Sequence, residues 1–230
     1  MKQVLESILE LFFPTVCNGC EAVLEDNETL LCSYCRYELP ATHFLYTHEN
    51  ESFKKFYGLA PITKAASLLF YQKNGIVQKI LHQLKYRNQQ NLGVLIAHMF
   101  EEDIRLSHFI PQDCCIIPVP LHPKKLKQRG YNQIQTFCET LSANHHTPLE
   151  TTILKRGIYK NTQSKKNLLD RNFDQNSNVF FADAEELNYK NIVLVDDILT
   201  TGSTLLQCIK ALEKYRDKNI YVLTIAFTHS

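Results

Sequence analysis

Asp196 and Asp197 stand side by side directly after the apolar run Ile192-Val193-Leu194-Val195. Ile198 and Leu199 separate them from a small, hydroxyl-rich segment, Thr200-Thr201-Gly202-Ser203-Thr204. Paired carboxylates can accept hydrogen bonds from sugar hydroxyls, or steer the water shell of a Mg2+ ion, which prefers oxygen ligands. Gly202 lets the backbone approach a ligand closely, and successive N–H groups at a helix start can cradle a phosphate. The threonine and serine hydroxyls add neutral donors beside those amides. The blander reading is a strand–turn–helix junction in which a Thr or Ser merely caps the helix. A P-loop is excluded, because no GxxxxGK[ST] occurs.

A second group of residues suits an anion. Ile117-Pro118-Val119-Pro120-Leu121 has the composition of a strand leaving a sheet, and Lys124, Lys125, Lys127 and Arg129 follow before Gly130-Tyr131-Asn132-Gln133. The spacing gives a basic loop that could face an anionic group across a cleft, or simply be solvated. Charge is unevenly spread. Residues 1–60 hold 4 Lys/Arg against 9 Asp/Glu, residues 61–180 hold 16 against 8, and residues 181–230 hold 5 against 7. The middle section therefore favours an anionic ligand, while a net charge of +1 lacks the global, strongly basic footprint of a nucleic-acid-binding protein.

A third group suits a metal. Cys17-x2-Cys20 and Cys32-x2-Cys35 are two knuckles separated by eleven residues, a pattern that closes four thiolates tetrahedrally on Zn2+. Such a site has no open coordination position, so a structural role is expected. A docking surface and, more weakly, disulfides or an iron–sulfur cluster are the alternatives. Cys114, Cys115, Cys138 and Cys208 fall in apolar segments and are expected in the core.

The elements that must position these groups alternate. The spacing predicts strands at AASLLFY, CCIIPVP, TTILK, Ile192–Val195 and Ile220–Phe227. Helices are predicted after Gly75, around Leu92–Phe100, from about Tyr131 to Ser142 and from Ser203 to Tyr215. Strand–helix alternation implies a parallel sheet covered on both faces, an α/β class. Val4, Leu5, Ile8, Leu9 and Phe12 have amphipathic helical spacing, with Glu6 and Glu10 where a secretory signal would be uncharged. No apolar run approaches the ~20 residues of a membrane span, and a cytoplasmic location is the default expectation. Lys160–Asn178 is polar with little periodicity.

The segment from Ile192 to Thr204 resembles the signature of type I phosphoribosyltransferases, which bind phosphoribosyl pyrophosphate (PRPP). The resemblance implies that Asp196 and Asp197 hold the ribose 2′- and 3′-hydroxyls and that Thr200, Thr201, Gly202, Ser203 and Thr204 hold the 5′-phosphate. Pyrophosphate would then face Lys124, Lys127 and Arg129. Arg129-Gly130-Tyr131-Asn132-Gln133, Leu84-Lys85-Tyr86 and the span from Phe12 to Pro40 further resemble the ComF family of zinc-headed phosphoribosyltransferase-like proteins. Thr162-Gln163-Ser164 and Arg171 look like that family's flexible catalytic loop, which implies catalytic roles for Gln163 and Arg171 beside the two acids. Asp174 stands where that loop has an Asn, with Asn176 nearby.

The resemblance therefore implies a zinc-binding head over residues 1–58 and a type I phosphoribosyltransferase-like domain over 59–230, with helices on both faces of its sheet. It implies Mg2+-dependent phosphoribosyl transfer to an acceptor the residues do not disclose, together with a role in natural competence and DNA uptake. The rival expectation is a non-catalytic protein that senses PRPP or handles single-stranded DNA. Tyr86, Tyr131 and Tyr159 would be its candidate stacking residues, and competence helicase-type proteins its partners.

Overall fold

The computed structural model describes residues 13–158, 178–184, 186–215 and 217–229. The helical spacing read at Val4–Phe12, Tyr159 and the loop residues Gln163 and Arg171 lie outside the described residues.

Four strands form a parallel sheet in the order β1-β6-β5-β2: β1 (Lys64–Phe70), β6 (Asn219–Phe227), β5 (Asn191–Leu199) and β2 (Cys114–Pro118). Alternation along each strand sorts side chains to two faces. Ala66, Leu68, Ile116, Val193, Val195, Leu223 and Ile225 join one buried cluster. Ala65, Cys115, Ile117, Ile192, Leu194, Ile220 and Val222 join the other. This is the both-faces burial expected of parallel strands joined by helical crossovers.

On the first face lie α3 (Ile76–Tyr86), α4 (Asn91–Met99), α5 (Glu101–Leu106) and α7 (Gln135–Asn144). They contribute Ile80, Leu84, Ile96, Ile104, Phe137 and Leu141. On the second lie α8 (Ser203–Leu212), contributing Leu205, Ile209 and Leu212, and Phe56, which follows the short α2 (Glu51–Lys54). A separate antiparallel pair, β3 (Leu154–Ile158) with β4 (Asn178–Ala182), packs against α8. The sequence pattern predicted a strand at TTILK but did not separate it from the parallel sheet.

Two expectations are corrected. The strand predicted at Ile192–Val195 continues through both acids to Leu199. It does so because β6 stays paired beside it as far as Leu199↔Phe227, whereas β2 pairs with it only as far as Pro118↔Val195. The basic segment predicted as a loop is a helix, α6 (Pro123–Arg129). Pro123 occupies its first turn, where a missing N–H costs nothing. His122 Nδ1 accepts the Lys124 N–H at 3.1 Å, and Gly130 closes the helix at φ 82°.

Before the sheet come α1 (Ser33–Tyr37) and a 3-10 turn at Phe44–Tyr46. Cys17, Leu31 and Cys35 are buried in the same cluster as Ile80 and Leu84. A Cβ on Gly19 would stand 2.8 Å from Cys35 Sγ and 3.1 Å from Ile76, so the first knuckle is pressed between the second and the start of α3. Between Gly19 and this helix, Glu21 pairs with Lys79 at 3.6 Å. Among the described residues, no helix is long and apolar enough to cross a membrane. Cys114, Cys115, Cys138 and Cys208 are buried.

Candidate functional site

Past Val195, β5 keeps its β6 neighbour but loses β2, and the gap opens at the carboxyl ends of the strands. Open α/β sheets bind ligands at such crevices. Asp196 and Asp197 lie in this last stretch of the strand, both buried. The Asp197 N–H donates to Asp196 Oδ1 at 2.8 Å. Burial, and then the neighbouring Asp197 charge, raise the Asp196 carboxyl well above the usual range. The pair thus resists carrying two charges, which lessens its repulsion of an anionic ligand.

Asp197 Oδ2 is the busiest atom of the site. Lys85 Nζ lies 2.5 Å from it, and Gln133 Nε2 donates to it at 3.2 Å. Gln133 Oε1 in turn accepts from Arg129 Nη1 at 2.5 Å, and the Arg129 guanidinium lies over the Tyr86 ring, 5.0 Å from its centroid. Tyr131 and Asn132 anchor the surrounding backbone. The Tyr131 hydroxyl donates to the Leu84 carbonyl at 2.7 Å and accepts the Asn88 N–H at 3.1 Å. Asn132 Nδ2 donates to the Val119 carbonyl at 3.0 Å, tying the segment to the end of β2.

Beside this network is a cleft of about 420 Å³ whose lining includes Lys85, Tyr86, Arg87, Lys125, Arg129 and Tyr131, with no acidic residue in it. Lys125 and Arg129 share a face of α6 at i, i+4 spacing and reach the cleft. Lys124 and Lys127 are exposed and are not among its lining residues. The helix decides which cations turn inward. A loop reading had no means of sorting them.

Beyond the acids, the chain turns at Thr200–Gly202 into α8. Gly202 is the cap residue at φ 79°, and no side chain caps the helix, which disfavours the capping reading of this turn. The first-turn N–H groups of a helix have no partner within it, so they are suited to an anion. The Ser203 N–H does lie 3.4 Å from Thr201 Oγ1, a weak local bond. Thr200, Thr201 and Ser203 are exposed, and Thr204 is half-buried. Phe56 and Lys55 pack behind the turn, 3.7 and 3.8 Å from where a Cβ on Gly202 would be.

The four cysteine Sγ atoms of the knuckles all lie within 4.8 Å of one another, and Cys20 and Cys32 are 3.7 Å apart. Thiolates around one tetrahedral zinc at ~2.3 Å bond length would be about 3.8 Å apart, so the donor set fits that ion. Burial pushes the Cys17 thiol up, but N–H groups of Cys32, Cys20 and Gly19 outweigh it and hold the thiol at about 6.

A family model, the phosphoribosyl transferase domain, matches residues 149–230. Competence protein F of Haemophilus influenzae is 31% identical over 153 residues, covering 64% of this chain and 66% of the relative. Competence protein ComFC of Bacillus subtilis is 27% identical over 143 residues, covering 59% and 52%. This chain belongs to the ComF family of phosphoribosyltransferase-domain proteins. DNA utilization protein YhgH of Escherichia coli (strain K12) is 25% identical over 195 residues, 83% of this chain and 80% of that protein. The chain thus spans about half to two thirds of the length of the first two relatives.

In this ComF-family chain the structure brings Asp196, Asp197 and Arg129 into one network and sets the Thr200–Thr204 turn at the end of the same strand. Sequence reasoning missed the roles of Lys85 and Gln133. Both sit inside the segments that carried the resemblance, Leu84-Lys85-Tyr86 and Arg129–Gln133, but no spacing rule links residues so far apart in the chain to Asp197.

Proposed function

We propose that this chain binds PRPP at the carboxyl ends of β2 and β5 and transfers its phosphoribosyl group. The reading rests above all on one observation: a buried acid pair lies near the carboxyl end of a parallel strand, which leads into a helix start with no side-chain cap, and Asp197 pairs with a lysine that lines a cleft of cations and no acids. Asp196 and Asp197 would accept the ribose hydroxyls, and Thr200–Thr204 would donate to the 5′-phosphate. Arg129, with Lys85, Arg87 and Lys125, would meet the pyrophosphate. Exposed Lys124 and Lys127 would add to the field that draws the ligand in. Gln163 and Arg171 are proposed to close over the leaving group.

A nucleophile would form a bond to C1 as the C1–O bond to pyrophosphate breaks, and the departing electron pair would leave with the pyrophosphate. Positioning and electrostatics would supply the rate. Mg2+ would neutralise phosphate oxygens; with two carboxylates here, one of them paired to Lys85, the protein suits an ion held mainly by its ligand and water. Zinc on Cys17, Cys20, Cys32 and Cys35 would be structural. Residues 1–58 would form the head and 59–230 the phosphoribosyltransferase-like domain. The names of the relatives support a role in competence; we propose that this role is DNA uptake and is carried out in the cytoplasm.

Calorimetric titration with PRPP and Mg2+ tests the ligand. An Asp196→Asn/Asp197→Asn variant should bind at least roughly tenfold more weakly, since the charge-assisted hydrogen bonding of the acid pair to the ribose hydroxyls is lost. Equal affinity in the two proteins would remove the assignment. A PRPP-dependent pyrophosphate-release assay across candidate bases and amines addresses the acceptor.

A second reading is favoured by the Tyr86 ring, which is 61% exposed beside Arg87, Lys125 and Arg129. Cations interleaved with an aromatic suit single-stranded DNA, whose bases stack while its phosphates are neutralised. Competence helicase-type proteins would then be the partners that hand on the strand. Oligonucleotide binding should weaken steeply between about 50 and 200 mM salt. No binding at the lower concentration rules this reading out.

A further inference from the structure

Lys85 stands on a boundary. On one side its ammonium is 2.5 Å from Asp197 Oδ2, and its side chain is only 23% exposed. On the other it lines the cleft that also presents Arg87, Lys125 and Arg129. It belongs to the last turn of α3, whose end is fixed by the Tyr131 hydroxyl between Leu84 and Asn88. Its backbone is therefore held, and any movement of the charge has to come from rotation about its four-carbon stem.

The arrangement contains a competition. Asp197 Oδ2 already accepts from Lys85 and Gln133. A ribose hydroxyl that donates to the same oxygen must displace or share with them. A carboxylate left buried without a partner is costly, so the site without ligand needs a cation there. With ligand bound, hydroxyl donors satisfy the carboxylate and a polyanion lies in the cleft next door.

Resting on the PRPP reading above, we propose that Lys85 is an exchangeable counter-ion: it neutralises Asp197 when the site is empty of ligand, and turns to the diphosphate when ribose hydroxyls take over that carboxylate. One lysine thus keeps the acid pair from repelling an incoming anion and later joins the groups that hold the leaving group. Arg129 does not make this exchange. Its guanidinium is already committed to Gln133 and the Tyr86 ring, so it stays on the cleft side throughout.

The test compares three ligands, PRPP, inorganic pyrophosphate and ribose 5-phosphate, each with Mg2+, on the full chain and on Lys85→Gln and Lys85→Arg variants. Lys85→Gln should bind PRPP and pyrophosphate roughly tenfold or more weakly, as expected for a lost charge-assisted bond. It should bind ribose 5-phosphate at least as well as the unsubstituted chain, because the ammonium no longer competes for Asp197 and only the weaker, neutral Gln133 donor remains. Lys85→Arg should recover most of the pyrophosphate affinity. Unchanged PRPP binding in Lys85→Gln, or an equal loss for all three ligands, overturns the proposal. Should Lys85→Gln not fold, a crystal structure of the unsubstituted chain with PRPP decides. Lys85 Nζ on the diphosphate supports the exchange, and Lys85 Nζ still on Asp197 overturns it. The PRPP reading fails separately, when the unsubstituted chain binds neither PRPP nor ribose 5-phosphate or when the Asp196→Asn/Asp197→Asn variant binds them normally.

Discussion

At the scale of single residues, the site is governed by charge compensation. Asp196 and Asp197 occupy consecutive positions of a strand, so their side chains leave on opposite faces. That of Asp197 meets Lys85 and Gln133, while Asp196 Oδ1 accepts a backbone N–H, and each buried carboxylate has a partner of its own. Gly202 works differently. At φ 79° it adopts a conformation that costs an L-residue roughly 1–2 kcal/mol, while a Cβ there would meet its neighbours only at ordinary contact distances. Gly202→Ala should therefore lower Tm by about 2–8 °C and weaken PRPP binding through the distorted turn. Gly58, at φ 70° with nothing within 4 Å of an added Cβ, supplies the control. Gly58→Ala should lower Tm similarly and leave PRPP binding alone. Calorimetry on both variants checks the pair. Equal PRPP affinity in Gly202→Ala and the parent would separate the turn from the ligand.

At the scale of elements, the decisive feature is where strands stop pairing. β2 ends against Val195, and the four further residues of β5 carry the acids into the opening. Pro118 and Pro120 in the sequence signalled the end of β2, since proline has no N–H for a ladder. The continuation of β5 through two carboxylates carried no such signal, because Asp is a poor strand former by itself. It is the pairing with β6 that keeps the acids in a strand. The reading of α6 as a loop had a different cause. Its basic residues hid a first-turn proline and a terminal glycine, the usual boundary marks of a helix. Once it is a helix, Lys125 and Arg129 share the inward face and Lys124 and Lys127 do not.

At the scale of the whole molecule, the four-cysteine segment is continuous with the core. Cys17, Leu31 and Cys35 share a buried cluster with Ile80 and Leu84 of α3, and the far end of α3 supplies Lys85. Loss of zinc should thus be felt beyond the head. A Cys17→Ser/Cys35→Ser variant should bind no stoichiometric zinc. Even a loss of ~3 kcal/mol would lower Tm by about 6–12 °C. PRPP affinity should fall as well, because α3 is the helix that holds the Asp197 counter-ion. Metal analysis, thermal denaturation and PRPP titration of the variant check the three statements. Full zinc content would refute four-cysteine ligation, and unchanged Tm and affinity would refute the coupling.

The sequence by itself determined the hydroxyl-rich turn, the acid pair, the cysteine quartet and the alternation of strands and helices. Each of these is local: a few neighbouring residues whose types and spacing already imply a geometry. Only the tertiary structure decided that Lys85 and Gln133 converge on Asp197, 112 and 64 positions away in the chain, and which lysines face the cleft. Contacts at such separations follow from how the helices pack on the sheet, and no periodicity within a single segment encodes them.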